Sequence, residues 1–134
     1  MAPRIVLDTS AVIAVITNEA HKPELVRVTR GMELLAPSSL PAEIGNAFSA
    51  MFKRKRISLE QARAAIAAYR QIPIRFTDID LDQSLEISEK LGIYAYDAYV
   101  IACGLQHRAA LVTLDRGQRE AAEKAGAAVL EVPV

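Results

Sequence analysis

Apolar positions fall into two alternating kinds of block: short runs of three or four residues closed by small polar residues or proline, and longer stretches with helical recurrence. Arg4-Ile5-Val6-Leu7 is such a run, closed by Asp8-Thr9-Ser10, all good N-cap types. Ala11 to Ile16 then continues apolar, so a strand feeds a helix. The pattern next predicts a helix over Pro23 to Arg30 stopped by Gly31, a strand at Leu34 to Ala36, and a helix from Pro41 to about Arg54. Ser58 and Gln61 have the spacing of a capping box and open an alanine-rich helix that stops before Pro73. Ile74 to Thr77 is the third strand, and Asp80 caps a helix from Leu81 to Leu91 closed by Gly92. A helix from about Asp97 to His107 has almost no polar face and must be buried. Leu111 to Leu114 is the fourth strand, Gln118 to Ala125 a helix stopped by Gly126, and Val129 to Val132 a last strand.

Strands separated by helices require crossover connections. The predicted fold class is therefore α/β, a three-layer α/β/α sandwich with a mostly parallel sheet. No internal repeat or linker interrupts residues 1–134, and a chain of 134 residues suits one domain. The start leads directly into Ile5-Val6-Leu7, too short for a secretory segment, and no apolar stretch reaches spanning length. No membrane association and a cytoplasmic setting are expected. Cys103 has no partner for a disulfide and reads as a small core residue.

Sixteen basic residues balance sixteen acidic ones, so no global basic field points to a polyanion. Lys53-Arg54-Lys55-Arg56 is the one dense basic run; it reads equally as a solvated helix C-terminus or as an RNA-phosphate or partner contact. His21 and His107 look peripheral.

The acids change the picture. In open parallel sheets the functional crevice lies beyond the carboxyl ends of the strands. Asp8 and Asp115 each follow a strand, Glu43 lies in the first turn of a helix after a strand, and Asp97 opens the buried helix. Each alone has a plain role as a cap, first-turn acid or turn residue. Four carboxylates in one crevice, however, would raise one another's pKa unless a cation were present. Oxygen donors without cysteine or paired histidine favour Mg²⁺, with Mn²⁺ a substitute, and phosphodiester hydrolysis is the chemistry such a centre supports. Thr9, Ser10 and Thr113 stand beside the cluster as hydroxyls that can orient water or outlying oxygens, though capping and strand propensity explain them about as well, and Asn46 is a candidate hydrogen-bond partner for Glu43.

These residues resemble the PIN-domain ribonucleases, and within them the VapC-type toxins of bacterial toxin–antitoxin pairs. The resemblance spans nearly the whole chain through Val6-Leu7-Asp8-Thr9-Ser10-Ala11, Pro41-Ala42-Glu43-Ile44, Tyr96-Asp97-Ala98-Tyr99-Val100-Ile101-Ala102 and Leu111-Val112-Thr113-Leu114-Asp115. It implies that Asp8, Glu43, Asp97 and Asp115 are the family's acids, with Asp8 and Asp97 the principal metal ligands and Thr113 the family's hydroxyl. It further implies an RNA substrate, a homodimer, and a cognate antitoxin whose C-terminal segment covers the acidic crevice. Gln118 departs from the family's pattern, which is apolar there.

Two other classes compete. A receiver-type signalling domain has a similar sheet and acidic pocket, but would place paired acids after the first strand and a lysine after the last; here Asp8 stands alone and Val132-Pro133-Val134 has no lysine. A catalytically silent RNA-binding module would retain the fold and use the basic run. A dinucleotide enzyme is weaker still, because no Gly-x-Gly-x-x-Gly follows the first strand.

Overall fold

Ile5 and Leu7 project into one apolar core and Val6, between them, into another, and this alternation organises the molecule. In the computed structural model, which describes residues 2–132, the chain runs β1 (Arg4–Leu7), α1 (Thr9–Ile16), α2 (Lys22–Thr29), β2 (Glu33–Pro37), α3 (Leu40–Lys53), α4 (Leu59–Tyr69), β3 (Ile74–Thr77), α5 (Leu81–Leu91), α6 (Ala95–His107), β4 (Ala110–Val112) and α7 (Arg116–Lys124). The strands form a parallel sheet in the order β3-β2-β1-β4. One face carries α1 to α4, packed through Val12, Leu25, Ile44, Phe48 and Ala65. The other carries α5 to α7, packed through Ile87, Val100, Ile101 and Ala122. The three-layer α/β/α architecture is the one the alternating blocks predict.

Local chemistry accounts for most boundaries. The Ser58–Gln61 capping box opens α4, Asp80 caps α5 by accepting from the Gln83 N–H, and Gly92 ends α5 in the left-handed conformation at φ 66°. At Gly104 the requirement is close approach, since a Cβ there would strike the Leu111 side chain and crowd the Ala109 carbonyl. α6 can therefore lie directly on β4. Among the described residues no helix is long and apolar enough to cross a membrane.

Several boundaries differ from the sequence reading, among them the start of α7, which is Arg116 and not Gln118. Val129 to Val132 is not a strand: Val129 makes a single parallel bridge to Leu111, held by Leu111 N–H to Ala128 O at 2.9 Å and Leu130 N–H to Leu111 O at 2.8 Å. β4 itself stops at Val112, because Thr113 turns its hydroxyl to Asp8 and the Asp115 amide, and Val132 is buried in the core beneath α1 to α4. α6 starts at Ala95, with extended Tyr94 as its N-cap, so Asp97 is the third residue of the helix and not its opening residue.

The chain crosses outward from β1 to β2 to β3 and then returns past β1 to β4. The order of strands thus reverses between β1 and β4, where Asp8 N–H donates to Val112 O at 3.1 Å. Parallel sheets open a crevice at such a switch point.

Candidate active site

Asp8 is the first residue beyond β1 and is only 6% exposed. Its backbone has N-cap dihedrals, but the side chain makes no capping bond. Instead Oδ2 accepts from Ser10 Oγ at 2.9 Å and from Thr113 Oγ1 at 2.6 Å, while Oδ1 has no protein donor among the described residues. Ser10 Oγ in turn accepts from Leu114 N–H at 3.0 Å, and Thr113 Oγ1 from Asp115 N–H at 3.0 Å. These two hydroxyls, 3.3 Å apart, lace the end of β1 to the end of β4. The hydroxyls beside the cluster are therefore carboxylate holders.

Glu43, partly buried in the first turn of α3, has both oxygens occupied: Thr9 Oγ1 donates to Oε1 at 3.1 Å and Ser39 Oγ to Oε2 at 2.8 Å. Asn46 is not its partner and lies exposed. Helical side chains lean toward the helix N-terminus, so Glu43 reaches back to Ser39, four residues earlier, and away from Asn46. Ser39 went unread because it resembled loop material between Pro37 and Pro41.

Asp115 is exposed and caps α7, with Oδ1 accepting from Gln118 N–H at 3.1 Å. Asp115, whose plain reading is a turn residue before Arg116-Gly117, is instead the N-cap of α7, which opens at Arg116. Asp97 is half-buried, and its carboxylate has no hydrogen bond among the described residues. Its backbone carbonyl accepts from Gln118 Nε2 at 3.0 Å, a link between α6 and α7 that sequence reading missed.

The four acids are near enough to influence one another. Burial raises the pKa of Glu43; the Ser39 and Thr9 hydroxyls pull it down, and the charges of Asp8 and Asp97 push it up again. Burial likewise raises Asp97, followed by the charges of Asp8 and Asp115. Mutual repulsion, the cause the sequence reading put first, ranks behind loss of hydration. Among the described residues no group of three or more Asp, Glu, His or Cys side chains is disposed to hold a metal as it stands.

The remaining candidates separate clearly. Lys53 to Arg56 are exposed at the C-terminal end of α3, roughly 15 Å along the helix from Glu43 at 1.5 Å per residue. The run caps a helix end and stands away from the acids. His107 is the last residue of α6, whereas His21 shares a hollow of about 300 Å³ with Thr113, Asp115 and Arg119, and so lies closer to the acids than its loop position implied. Cys103 is buried beside Thr77, and burial pushes its thiol pKa up.

A model of the PIN domain matches residues 5–124. No curated protein matches the chain in sequence. Among solved structures, PAE2754 from Pyrobaculum aerophilum is similar with a TM-score of 0.70 and 22% identity, over 90% of this chain and 81% of that one. VapBC2 from Rickettsia felis, solved with a DNA fragment from its promoter, is similar with a TM-score of 0.65 and 15% identity, over 96% and 97% of the two chains. VapC20 from Mycobacterium tuberculosis, described as a sarcin–ricin loop cleaving toxin, gives a TM-score of 0.64 and 16% identity, over 95% and 98%. These likenesses at low identity concern the fold, while the sequence match over 5–124 concerns kinship. The chain belongs to the PIN domain family.

Proposed function

We propose that this chain is a Mg²⁺-dependent endoribonuclease, with Mn²⁺ able to substitute, and that it is the toxin of a toxin–antitoxin pair acting in the cytoplasm as one nuclease domain over residues 1–134. The observation that carries the reading is the state of the carboxylate oxygens at the β1/β4 switch point. Asp8 Oδ1 and both oxygens of Asp97 are uncommitted among the described residues, whereas Glu43 is hydrogen-bonded through both oxygens and Asp115 through one. By hydrogen bonding alone Asp8, Asp97 and Asp115 each keep an oxygen to offer a cation; their burial and the resemblance to the PIN acids make Asp8 and Asp97 the principal ligands, with Glu43 and Asp115 the supporting acids.

The donor chemistry fits Mg²⁺ or Mn²⁺. It consists of oxygen alone, and such ions bind through one or two carboxylates completed by water and substrate phosphate, so a ready-made protein cage is not required. When bound, the ion supplies a water of lowered pKa and neutralises charge on the phosphate and the leaving oxygen. The chain's own residues do the positioning. Ser10 and Thr113 fix Asp8 by one oxygen, Thr9 and Ser39 fix Glu43 by both, and burial raises the pKa of Glu43 and Asp97.

The partners follow from the same reading. RNA is the substrate in this reading, in keeping with the likeness to VapC20, a sarcin–ricin loop cleaving toxin, and a cognate antitoxin is the protein partner, consistent with the VapBC2 likeness. A homodimer is supported by Leu81 and Leu85, four residues apart on α5 and 58% and 55% exposed, an apolar stripe that a second copy would cover. Sequencing RNA ends after brief expression of the parent beside Asp8→Ala tests nuclease function and names the substrate together. New RNA ends in the parent alone are expected, and identical end profiles would remove the proposal.

A further inference from the structure

Gln118 is a buried polar residue to which the carboxylate scheme gives no task. It is 4% exposed, its N–H donates to Asp115 Oδ1 at 3.1 Å, and its side-chain Nε2 donates to the Asp97 carbonyl at 3.0 Å. Its Oε1 is buried without a partner among the described residues. One residue therefore touches the backbone of one acid and the side chain of another, 18 positions apart in the chain. Asp97 is the third residue of α6 and Asp115 the N-cap of α7, so the bond to Asp97 draws two helix N-termini together while their carboxylates repel. An apolar side chain of similar size would fill the same space without an unpaired oxygen, so packing alone does not explain a glutamine here.

We propose that Gln118 is a positioning residue, a clamp that sets the separation of Asp97 and Asp115 and thereby prepares the acidic crevice for a divalent cation. The clamp is a matter of geometry; its consequence for cation binding rests on the metal-dependent reading above. Without the donated bond, the first turns of α6 and α7 are free to part. The apolar packing of Ala121 and Ala122 against the sheet would still hold α7 in place.

The experiment uses the full chain and its Gln118→Leu and Gln118→Met variants, so that one serves if the other does not fold. Three quantities are measured without RNA: melting temperature in the absence of metal, Mn²⁺ affinity by electron paramagnetic resonance, and amide hydrogen exchange of the first turn of α6. The clamp predicts a melting temperature equal to or above the parent's, Mn²⁺ affinity weaker by about 10-fold or more, and faster exchange at Ala98, whose N–H donates to Tyr94 O in the first turn of α6. A folded variant with parental Mn²⁺ affinity and parental exchange would overturn the proposal, as would a lowered melting temperature with affinity unchanged. If the parent itself binds no Mn²⁺, the metal-dependent reading falls, and the clamp is then decided by exchange alone: faster exchange supports it and parental exchange overturns it.

Discussion

Thr113 donates a 2.6 Å hydrogen bond to the Asp8 carboxylate across 105 positions of sequence, joining the ends of the two strands that flank the switch point. Both residues are almost wholly buried, at 1% and 6% exposure, so the bond forms where an ionised acceptor is poorly hydrated. Thr113→Val keeps the shape and removes the hydroxyl, leaving Asp8 with Ser10 alone and the Asp115 amide without its acceptor. The variant should lose about 1.5–3 kcal/mol of stability, the usual value of a hydrogen bond to a charged group, and about 10- to 100-fold in cleavage rate. Thr113→Ser should recover most of both. Denaturant titration and single-turnover cleavage measure the two losses separately.

The burial of two acids gives stability a definite pH dependence. Glu43 and Asp97 keep their protons to higher pH in the folded protein than in the unfolded chain, because burial and neighbouring carboxylates oppose ionisation. Between the ordinary carboxylate range and those raised values the folded state binds more protons, so metal-free stability falls as pH rises through that interval. Glu43→Gln and Asp97→Asn should each flatten the decline. Urea unfolding at a series of pH values checks this, and variants that keep the parental slope would contradict it.

Of the six glycines, Gly104 is the one at which an added Cβ would strike a neighbour. Gly104→Ala should destabilise by about 1–3 kcal/mol, because the new methyl group meets Leu111 and the Ala109 carbonyl where α6 lies on β4. Gly104→Ala with Leu111→Val should recover part of the loss. Melting curves of the two variants supply the comparison.

The basic run should matter little to the chemistry. Lys53→Gln with Lys55→Gln alters exposed side chains at the end of α3 remote from Glu43, and should change stability by no more than about 0.5 kcal/mol. Cleavage of a short RNA should stay within about twofold of the parent. A loss comparable with that of Thr113→Val would mean that the run contacts the substrate after all.

The parts of this molecule that sequence made legible are those governed by local rules. Strand-then-cap at Leu7-Asp8, the Ser58–Gln61 box and the left-handed Gly92 all act within a few residues, and the alternation of Ile5, Val6 and Leu7 announces a sheet covered on both faces. Asp8, Glu43, Asp97 and Asp115 were visible because strand ends and first turns are identifiable positions. What was not legible depends on contacts between distant segments. Nothing local says that Thr113 leaves the ladder for Asp8 and so shortens β4, or that Val132 turns into the core and leaves Val129 with a single bridge. Ser39 looked like loop material, and Gln118 like a departure from the family's pattern at the start of the last helix, until the fold placed Glu43 over one and Asp97 beside the other.

The central claim is that Asp8 and Asp97 offer their uncommitted oxygens to a divalent cation that the reaction requires. The most direct measurement is cleavage of RNA by purified parent and Asp97→Asn protein, with Mg²⁺ present and with Mg²⁺ removed by chelation. The account predicts cleavage by the parent with Mg²⁺ alone, and loss of at least about 100-fold in the folded Asp97→Asn variant, the scale on which removing an electrostatic catalytic group acts. Parental cleavage by Asp97→Asn, or cleavage by the parent that survives chelation, would contradict it.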